Sequence, residues 1–406
     1  MRGGADILKR GLVVIETHPI QYHAPVYRNV QQRFGIPVTV IYGSDFSVVG
    51  YWDPEFQAQF AWDTDLLSGY EPKFLSRVSE AGARSVEKVS ARGLGEVLRQ
   101  TEPRAVLLMG YSPRFHQRAF YETWERGYPI LFRGETADHT RDRGPFRSWV
   151  RDRILCRLYR RCARLLYVGQ SSYQHFRRLG CPEEKLIFSP YCVDTASFEC
   201  DEAARARLRP SIRQKLELTE NHKVLLFSGK LSWRKGVDLI LPAVRKMPLS
   251  VQKEIVVLFM GDGELKETLE NQEGTPTPLP VRFLGFQNQS TLSSYYHAAD
   301  LLILPSRHSE TWGLVVNEAL HHGVPCVVSE GVGCAPDLVE PGRTGEICFI
   351  GEVQSLATTL ERALKLIGRR EIRESCRQKV SGYTVEKAAD GIARGYQSLW
   401  EESAGK

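Results

Sequence analysis

Residues 299–330 read ADLLILPSRHSETWGLVVNEALHHGVPCVVSE. Two short aliphatic runs, DLLILPS and PCVVSE, flank an apolar segment that ends at Gly323 and carries Glu310 and Glu318. Buried strands read as short continuous runs bounded by turn residues, so the middle segment is the crossover helix of a strand-helix-strand unit. Working outward, the same alternation continues. KVLLFSG, IVVLFMG and VRFLGF read as strands, and VDLILPAVRKM, ELKETLENQ and TLSSYYHAA as the helices between them. Near-continuous Val, Leu and Ile runs separated by helices indicate a parallel sheet covered on both faces, hence a doubly wound α/β domain.

The first half repeats the scheme with GLVVIET, VTVIYGS, RAVLLMG, YPILFRG, RLLYVGQ and KLIFSP. A chain of 406 residues is long enough for two such domains. The charged, strand-poor stretch from Thr195 to Glu220 separates them, which divides the chain into residues 1–200, 201–384 and a terminal helix over 385–406. Tyr396, Leu399 and Trp400 on that helix need a surface to pack against.

Composition narrows the classes. Hydrophobic residues at 42%, charged residues at 25% and a net charge of +6 are ordinary for a globular protein, and that charge does not call for nucleic acid. No apolar run approaches the length of a membrane span, and the start lacks a cleavable export signal, so a cytoplasmic protein is expected. Nine cysteines without a C-x-x-C pair read as reduced packing residues, and no metal-ligand spacing stands out.

Ligands of open parallel sheets sit beyond the carboxyl ends of the strands. Three loops there carry chemistry. SGKLSWRKGVD puts Lys230 and Lys235 where ammonium and amide groups can face a phosphate, or simply forms a solvated basic loop. MGDGELKETL gives Gly261 and Gly263 a tight turn with close backbone approach, without the full dinucleotide fingerprint. In the opening segment, Glu310 lies on the loop and Trp312, Gly313 and Leu314 begin the helix, whose amides suit a diphosphate. Glu318, a turn further on, could accept from ribose hydroxyls or be a solvated helix glutamate.

Together, GKLSWRKG, GDGELKETL, VRFLGF and ETWGLVVNEALHHGVP resemble the nucleotide-sugar domain of family 4 retaining glycosyltransferases, including their E-x7-E motif, over roughly Val224 to Ile350. The resemblance implies the GT-B fold, two facing Rossmann-like domains with the terminal helix crossing back to the first. It implies a nucleoside-diphosphate sugar as donor, UDP-sugar by family frequency, and no metal or other cofactor. Glu318 would hold the ribose, and Glu310 with the amides near Gly313 and Leu314 the sugar and phosphates. Lys230, at a position usually arginine, and Lys235 would neutralise the departing diphosphate, and the backbone near Phe286 would bound the base. Retention implies that the departing phosphate oxygen helps deprotonate the acceptor on the same face of the sugar. The product would be a polysaccharide or glycoconjugate, assembled by hexosyl transfer. The alternatives are an epimerase or phosphorylase of the same fold, or an inactive donor-binding subunit.

The first domain departs from that pattern. Its loop THPIQYHAP lacks paired glycines, and His18, Gln21, Tyr22 and His23 stand where phosphate or acceptor contacts are as natural as ordinary loop chemistry. In PILFRGETADH, Glu135 occupies the strand-end place where the family often has a histidine, so a sugar contact or proton transfer by Glu135 is expected. Arg133 would hold it or bind phosphate. The stretch 51–70, with Trp52, Asp53, Trp62, Asp63 and Asp65, offers rings and carboxylates to an acceptor sugar. Finally, residues 141–166 contain nine arginines, interleaved with Phe146, Trp149, Ile154, Leu155 and Leu158. This is a basic amphipathic helix, either lying on anionic lipid, as a lipid-linked acceptor would favour, or packed with a solvated basic face.

Overall fold

The computed structural model describes residues 10–53, 58–60, 64–135, 138, 144–272 and 279–404. The first domain is built on strands β1 (Leu12–Glu16), β2 (Val38–Tyr42), β3 (Tyr51–Asp53), β4 (Ala58–Phe60), β5 (Glu71–Phe74), β6 (Ala105–Leu108), β7 (Ile130–Gly134), β8 (Arg164–Tyr167) and β9 (Leu186–Phe188). Seven of these form one sheet in the order β5-β2-β1-β6-β7-β8-β9, every neighbouring pair parallel. β3 and β4 pair separately as an antiparallel ribbon. The second domain contains β10 (Lys223–Ser228), β11 (Ile255–Met260), β12 (Val281–Gly285), β13 (Leu301–Leu304), β14 (Cys326–Ser329) and β15 (Gly345–Cys348). These form a parallel sheet in the order β12-β11-β10-β13-β14-β15.

Burial on both faces explains the aliphatic runs. All six residues of β11 and all four of β13 and β14 are buried. The first sheet has one apolar cluster on each face, and the helix Val385–Ala404 supplies Ala388, Ala389, Ile392, Ala393 and Tyr396 to one of them. Small residues let that helix approach closely: a Cβ on Gly391 would lie 2.2 Å from the Phe188 carbonyl oxygen. The Trp400 ring closes the contact under the Arg104 guanidinium, 3.8 Å from the ring centroid.

The strand β5, EPKF, extends the first sheet although its half-buried, proline-containing sequence does not announce a strand. VDLILPAVRKM forms a 3-10 turn, Val237–Leu239, followed by only a short helix, Ile240–Arg245. Among the described residues no helix is long and apolar enough to cross a membrane.

Candidate active site

The loops after β10, β11 and β13 converge where the two domains meet. Crowding there requires glycine: a Cβ on Gly261, at φ 136°, would lie 1.9 Å from the Gly229 carbonyl oxygen, and one on Gly263 2.7 Å from that of Leu231. These two glycines let the second loop press against the Lys230 loop, and Gly261 lines the cavity described below. Lys230 is half-buried just beyond Gly229.

Glu310 is buried after β13, and the Lys235 ammonium donates to its carboxylate. The Ser306 hydroxyl donates to the same oxygen at 3.1 Å. Burial pushes this carboxyl up, but Lys235, the nearby Arg234 and the Ser306 bond outweigh it and hold Glu310 below the usual carboxylate range. The site therefore contains a buried, ionised carboxylate locked to a cation.

Gly313, at φ 97°, caps the helix Leu314–His321. Glu318 on that helix is not solvated: it is 2% exposed. Tyr296 donates to it at 2.6 Å, and Tyr22 of the first domain reaches it at 3.5 Å. Burial raises its pKa to about 7 against these two bonds. Glu318 lines a cavity of about 120 Å³ with Gln21, Tyr22, Gly261, Phe286 and Val315. Val315 is half-buried on this wall. Leu314 is likewise half-buried at the helix start.

Two expected site residues have side chains engaged in packing. The Trp312 ring is stacked on Tyr191 of the first domain, with centroids 5.9 Å apart, and packs against Tyr383. Its indole N–H donates to Asn317 at 2.8 Å, so the side chain is domain-interface packing, because a ring that is 3% exposed has no face left for a ligand. Arg133 is buried and donates from Nε to Ser189 and from Nη2 to the Pro190 carbonyl at 2.7 Å. Those bonds anchor the loop that carries Tyr191, and Arg133 also lines the first-domain cavity that Glu135 borders.

Glu135 does reach the second domain, since Thr311 donates to it at 2.8 Å. It borders a larger cavity of about 470 Å³ on the first-domain side, lined also by Glu16, His18, His23, His116, Arg151 and Thr311. Burial pushes His18 down to about 4, against the pull of Glu16, and its ring stacks on Phe46. Glu16, buried at the end of β1, accepts from His23 Nδ1 at 2.7 Å and from the Tyr27 hydroxyl. Burial raises the Glu16 pKa, but His23 and Tyr27 pull it net below the usual value. Sequence reading missed Glu16 and His116. A carboxylate closing a buried strand seven residues before a helix-capping histidine was the one available signal for Glu16, and His116 had none.

Of the aromatic stretch 51–70, Trp62 and Asp63 lie outside the described residues, and Asp65 turns back to accept from the Leu67 and Ser68 amides. In the basic segment, Arg141 and Arg143 also lie outside them. The helix Pro145–Arg161 buries Leu155 and Tyr159 and leaves Phe146, Trp149 and Ile154 exposed. Arg164 is not on this face: it is buried in β8 and donates to Ser398 at 2.9 Å.

Residues 209–381 match the family described as glycosyl transferases group 1. The sulfoquinovosyl transferase SQD2 of Arabidopsis thaliana is 34% identical over 167 residues, covering 40% of this chain and 30% of that protein. A glycogen synthase of Thermus thermophilus is 30% identical over 205 residues, covering 50% and 44%. The matches thus span less than half of either relative's length. Over the whole fold, the Anabaena protein Alr3699/HepE, solved in complex with UDP, superposes with a TM-score of 0.70 at 17% identity, over 96% of this chain and 100% of that one. The second domain accordingly belongs to the group 1 glycosyltransferase family, within a chain that has the two-domain GT-B fold.

Proposed function

We propose that this protein is a retaining glycosyltransferase that moves a sugar from a nucleoside-diphosphate donor, UDP-sugar foremost, to an acceptor hydroxyl without a metal. The observation that carries the reading is the convergence, at one interdomain cleft, of the Lys235–Glu310 pair, the glycine-rich loops and the buried Glu318. Named relatives that transfer sugars, and a structural neighbour solved with UDP, support it. In this reading, Glu318 accepts from the ribose hydroxyls and Phe286 borders the base. Lys230, Lys235 and the amides near Leu314 stabilise the negative charge on the diphosphate as the anomeric carbon–oxygen bond breaks and its electron pair leaves with the phosphate. The acceptor oxygen bonds the same carbon from the same face, and its proton passes to the departing phosphate oxygen. Glu135, held by Thr311, borders the sugar.

A thermal-shift screen against UDP, GDP, ADP and their sugars tests the donor class. One nucleotide series is expected to raise the melting temperature selectively. A flat response to all of them would remove the donor assignment.

The product belongs to polysaccharide or glycoconjugate synthesis, and the acceptor is a saccharide, free or lipid-linked. The helix Pro145–Arg161 is the surface proposed to meet an anionic membrane peripherally at its cytoplasmic face. Phe146 is 74% and Trp149 59% exposed, the two rings stack, and Arg153 lies over Trp149. Aromatic rings beside guanidinium groups suit the headgroup boundary. In vesicle flotation, the protein is expected to rise with liposomes containing phosphatidylserine or phosphatidylglycerol and not with phosphatidylcholine alone. Changing Phe146 and Trp149 together to serine is expected to abolish flotation. Equal behaviour with both lipid types would dispose of the membrane contact.

A further inference from the structure

A separate cavity of about 630 Å³ lies in the groove between two neighbouring helices of the first domain, Leu94–Thr101 and Arg114–Glu125. Among the described residues, those that line it all belong to the first domain. The start of the second helix parts it from the cleft, since Phe115 lines this groove and His116 the cleft cavity. Four arginines, Arg92, Arg114, Arg118 and Arg126, face two glutamates, Glu96 and Glu122, which leaves two positive charges in excess. The glutamates are already committed. Glu122, 7% exposed, accepts from Arg118 and Arg126, and Arg126 Nη1 also donates to the Glu122 carbonyl at 2.9 Å. Glu96 accepts from Arg99 and Gln100 of its own helix. Arg92 and Arg114 are exposed and form no ion pair among the described residues.

The floor of the groove depends on one glycine. A Cβ on Gly95 would lie 2.3 Å from Arg126 Nη2 and 2.5 Å from Glu122 Oε2. Glycine weakens a helix by about 1 kcal/mol relative to alanine, and here its bare backbone lets the Glu122–Arg126 pair close beneath the cavity. That pair in turn fixes Arg118 on the same carboxylate. The groove is thus a shaped surface with two uncompensated guanidinium groups at its mouth.

The chemistry of its ligand follows from charge and size. Like charges gathered around one volume repel, and a bound anion relieves them. An excess of two calls for a dianion, and a monocarboxylate would leave one arginine uncompensated. A phosphate monoester carries about −1.5 to −2 at neutral pH and presents three acceptor oxygens. Those oxygens match the guanidinium fork bidentately. Orthophosphate alone would leave most of the space empty, because about 630 Å³ falls within the roughly 300–1,000 Å³ of sites that hold whole small molecules. Ser90 borders the remainder; its hydroxyl accepts from the Arg92 amide at 3.2 Å and can still donate.

We propose that this groove binds a soluble phosphomonoester, with Arg92 and Arg114 gripping the phosphate and Glu122 holding Arg118 and Arg126 beside it. The site lies apart from the donor cleft and does not rest on the glycosyltransferase reading.

The test is isothermal titration calorimetry on the full chain with glycerol 3-phosphate, phosphoserine and phenyl phosphate, and with inorganic phosphate, glycerol and succinate for comparison. At least one ester is expected to bind, more tightly than inorganic phosphate or succinate and more weakly as salt is raised. The double variant Arg92→Ala with Arg114→Ala, both exposed and outside the core, is expected to weaken that ester tenfold or more. Arg99→Ala, on the same helix but outside the lining, and Lys230→Ala, on the donor side, are each expected to leave it within twofold. Absence of binding by all three esters, equal binding by the double variant, or a preference for succinate or inorganic phosphate would overturn the proposal. Loss of ester binding in Lys230→Ala would place the ester in the cleft and overturn it as well. The same phosphate chemistry occurs on lipid headgroups, so flotation on phosphatidic acid vesicles separates the sources. The double variant is expected to float as the wild type does, and a loss of flotation with ester binding unchanged would overturn the soluble ligand.

Discussion

Glu318→Gln is expected to weaken nucleotide binding about 10- to 100-fold while making the empty protein more stable at pH 8. The first effect follows from losing a charged acceptor, since hydrogen bonds to charged groups contribute about 1.5–3 kcal/mol each. The second follows from burial. Glu318 titrates near pH 7 when folded, against 4.5 for an ordinary glutamate. The folded protein thus binds this proton more tightly than the unfolded chain. Stability contributed by Glu318 is full below pH 4.5, falls as pH rises to about 7, and is then lost. A gap of that size corresponds to about 3 kcal/mol at roughly 1.4 kcal/mol per pH unit. Glutamine keeps the Tyr296 hydrogen bond and has no such slope. Denaturant melts at pH 5.5 and 8 should show the wild type declining relative to the variant. For the wild type, nucleotide binding below pH 7 should release a proton, visible by calorimetry in buffers of different ionisation enthalpy. Undiminished nucleotide affinity in the variant would take Glu318 off the ribose.

Lys235→Ala is expected to do the opposite to stability and more to turnover. Its ammonium is the partner of a buried carboxylate, and stripping one member from such a pair costs about 3–5 kcal/mol. Loss of a positive charge facing the leaving group should lower kcat about 100- to 1,000-fold, the size seen when one stabilising donor is removed. Glu310 lies below the usual carboxylate range, so its contribution is present above pH 4.5 and lost as pH falls through its lowered value. In Lys235→Ala that acid-side loss should shrink. Adding Glu310→Gln neutralises the stranded charge and should recover most of the stability without recovering turnover. A single variant with wild-type kcat would remove Lys235 from the chemistry.

The doubly wound architecture was readable because both sheets are parallel and buried on both faces, which prints each strand as an aliphatic run. β5 escaped because an edge strand with one half-buried face carries no such run. The candidate site in the second domain was legible because each of its loops, after β10, β11 and β13, carries a local signal of glycines or charges, and those three strands are neighbours in the sheet. The first-domain cavity was legible only in pieces: His18, His23 and Glu135 stood out singly, but the Glu16–His23 loop, His116 and Arg151 come from three separate stretches, and only packing brings them together. Which side of a loop a side chain takes is decided by what faces it, so the packing of the Trp312 ring on Tyr191 and the bonds of Arg133 to the Ser189–Pro190 backbone were not legible either.

The helix Val385–Ala404 bears on how the chain is made. It is translated after the entire second domain, yet it completes one face of the first sheet: the Ser189 hydroxyl donates to the Ala388 carbonyl at 2.9 Å, 199 residues downstream. At about 5–20 residues per second of synthesis, that face waits roughly 10–40 s on the ribosome with Val14, Val40, Leu107 and Leu131 short of their cover. The second domain, whose core draws little on the first half, can close in the meantime. The order of maturation is therefore inverted relative to the order of translation, and a nascent chain stalled before residue 385 would present an uncovered apolar sheet to chaperones.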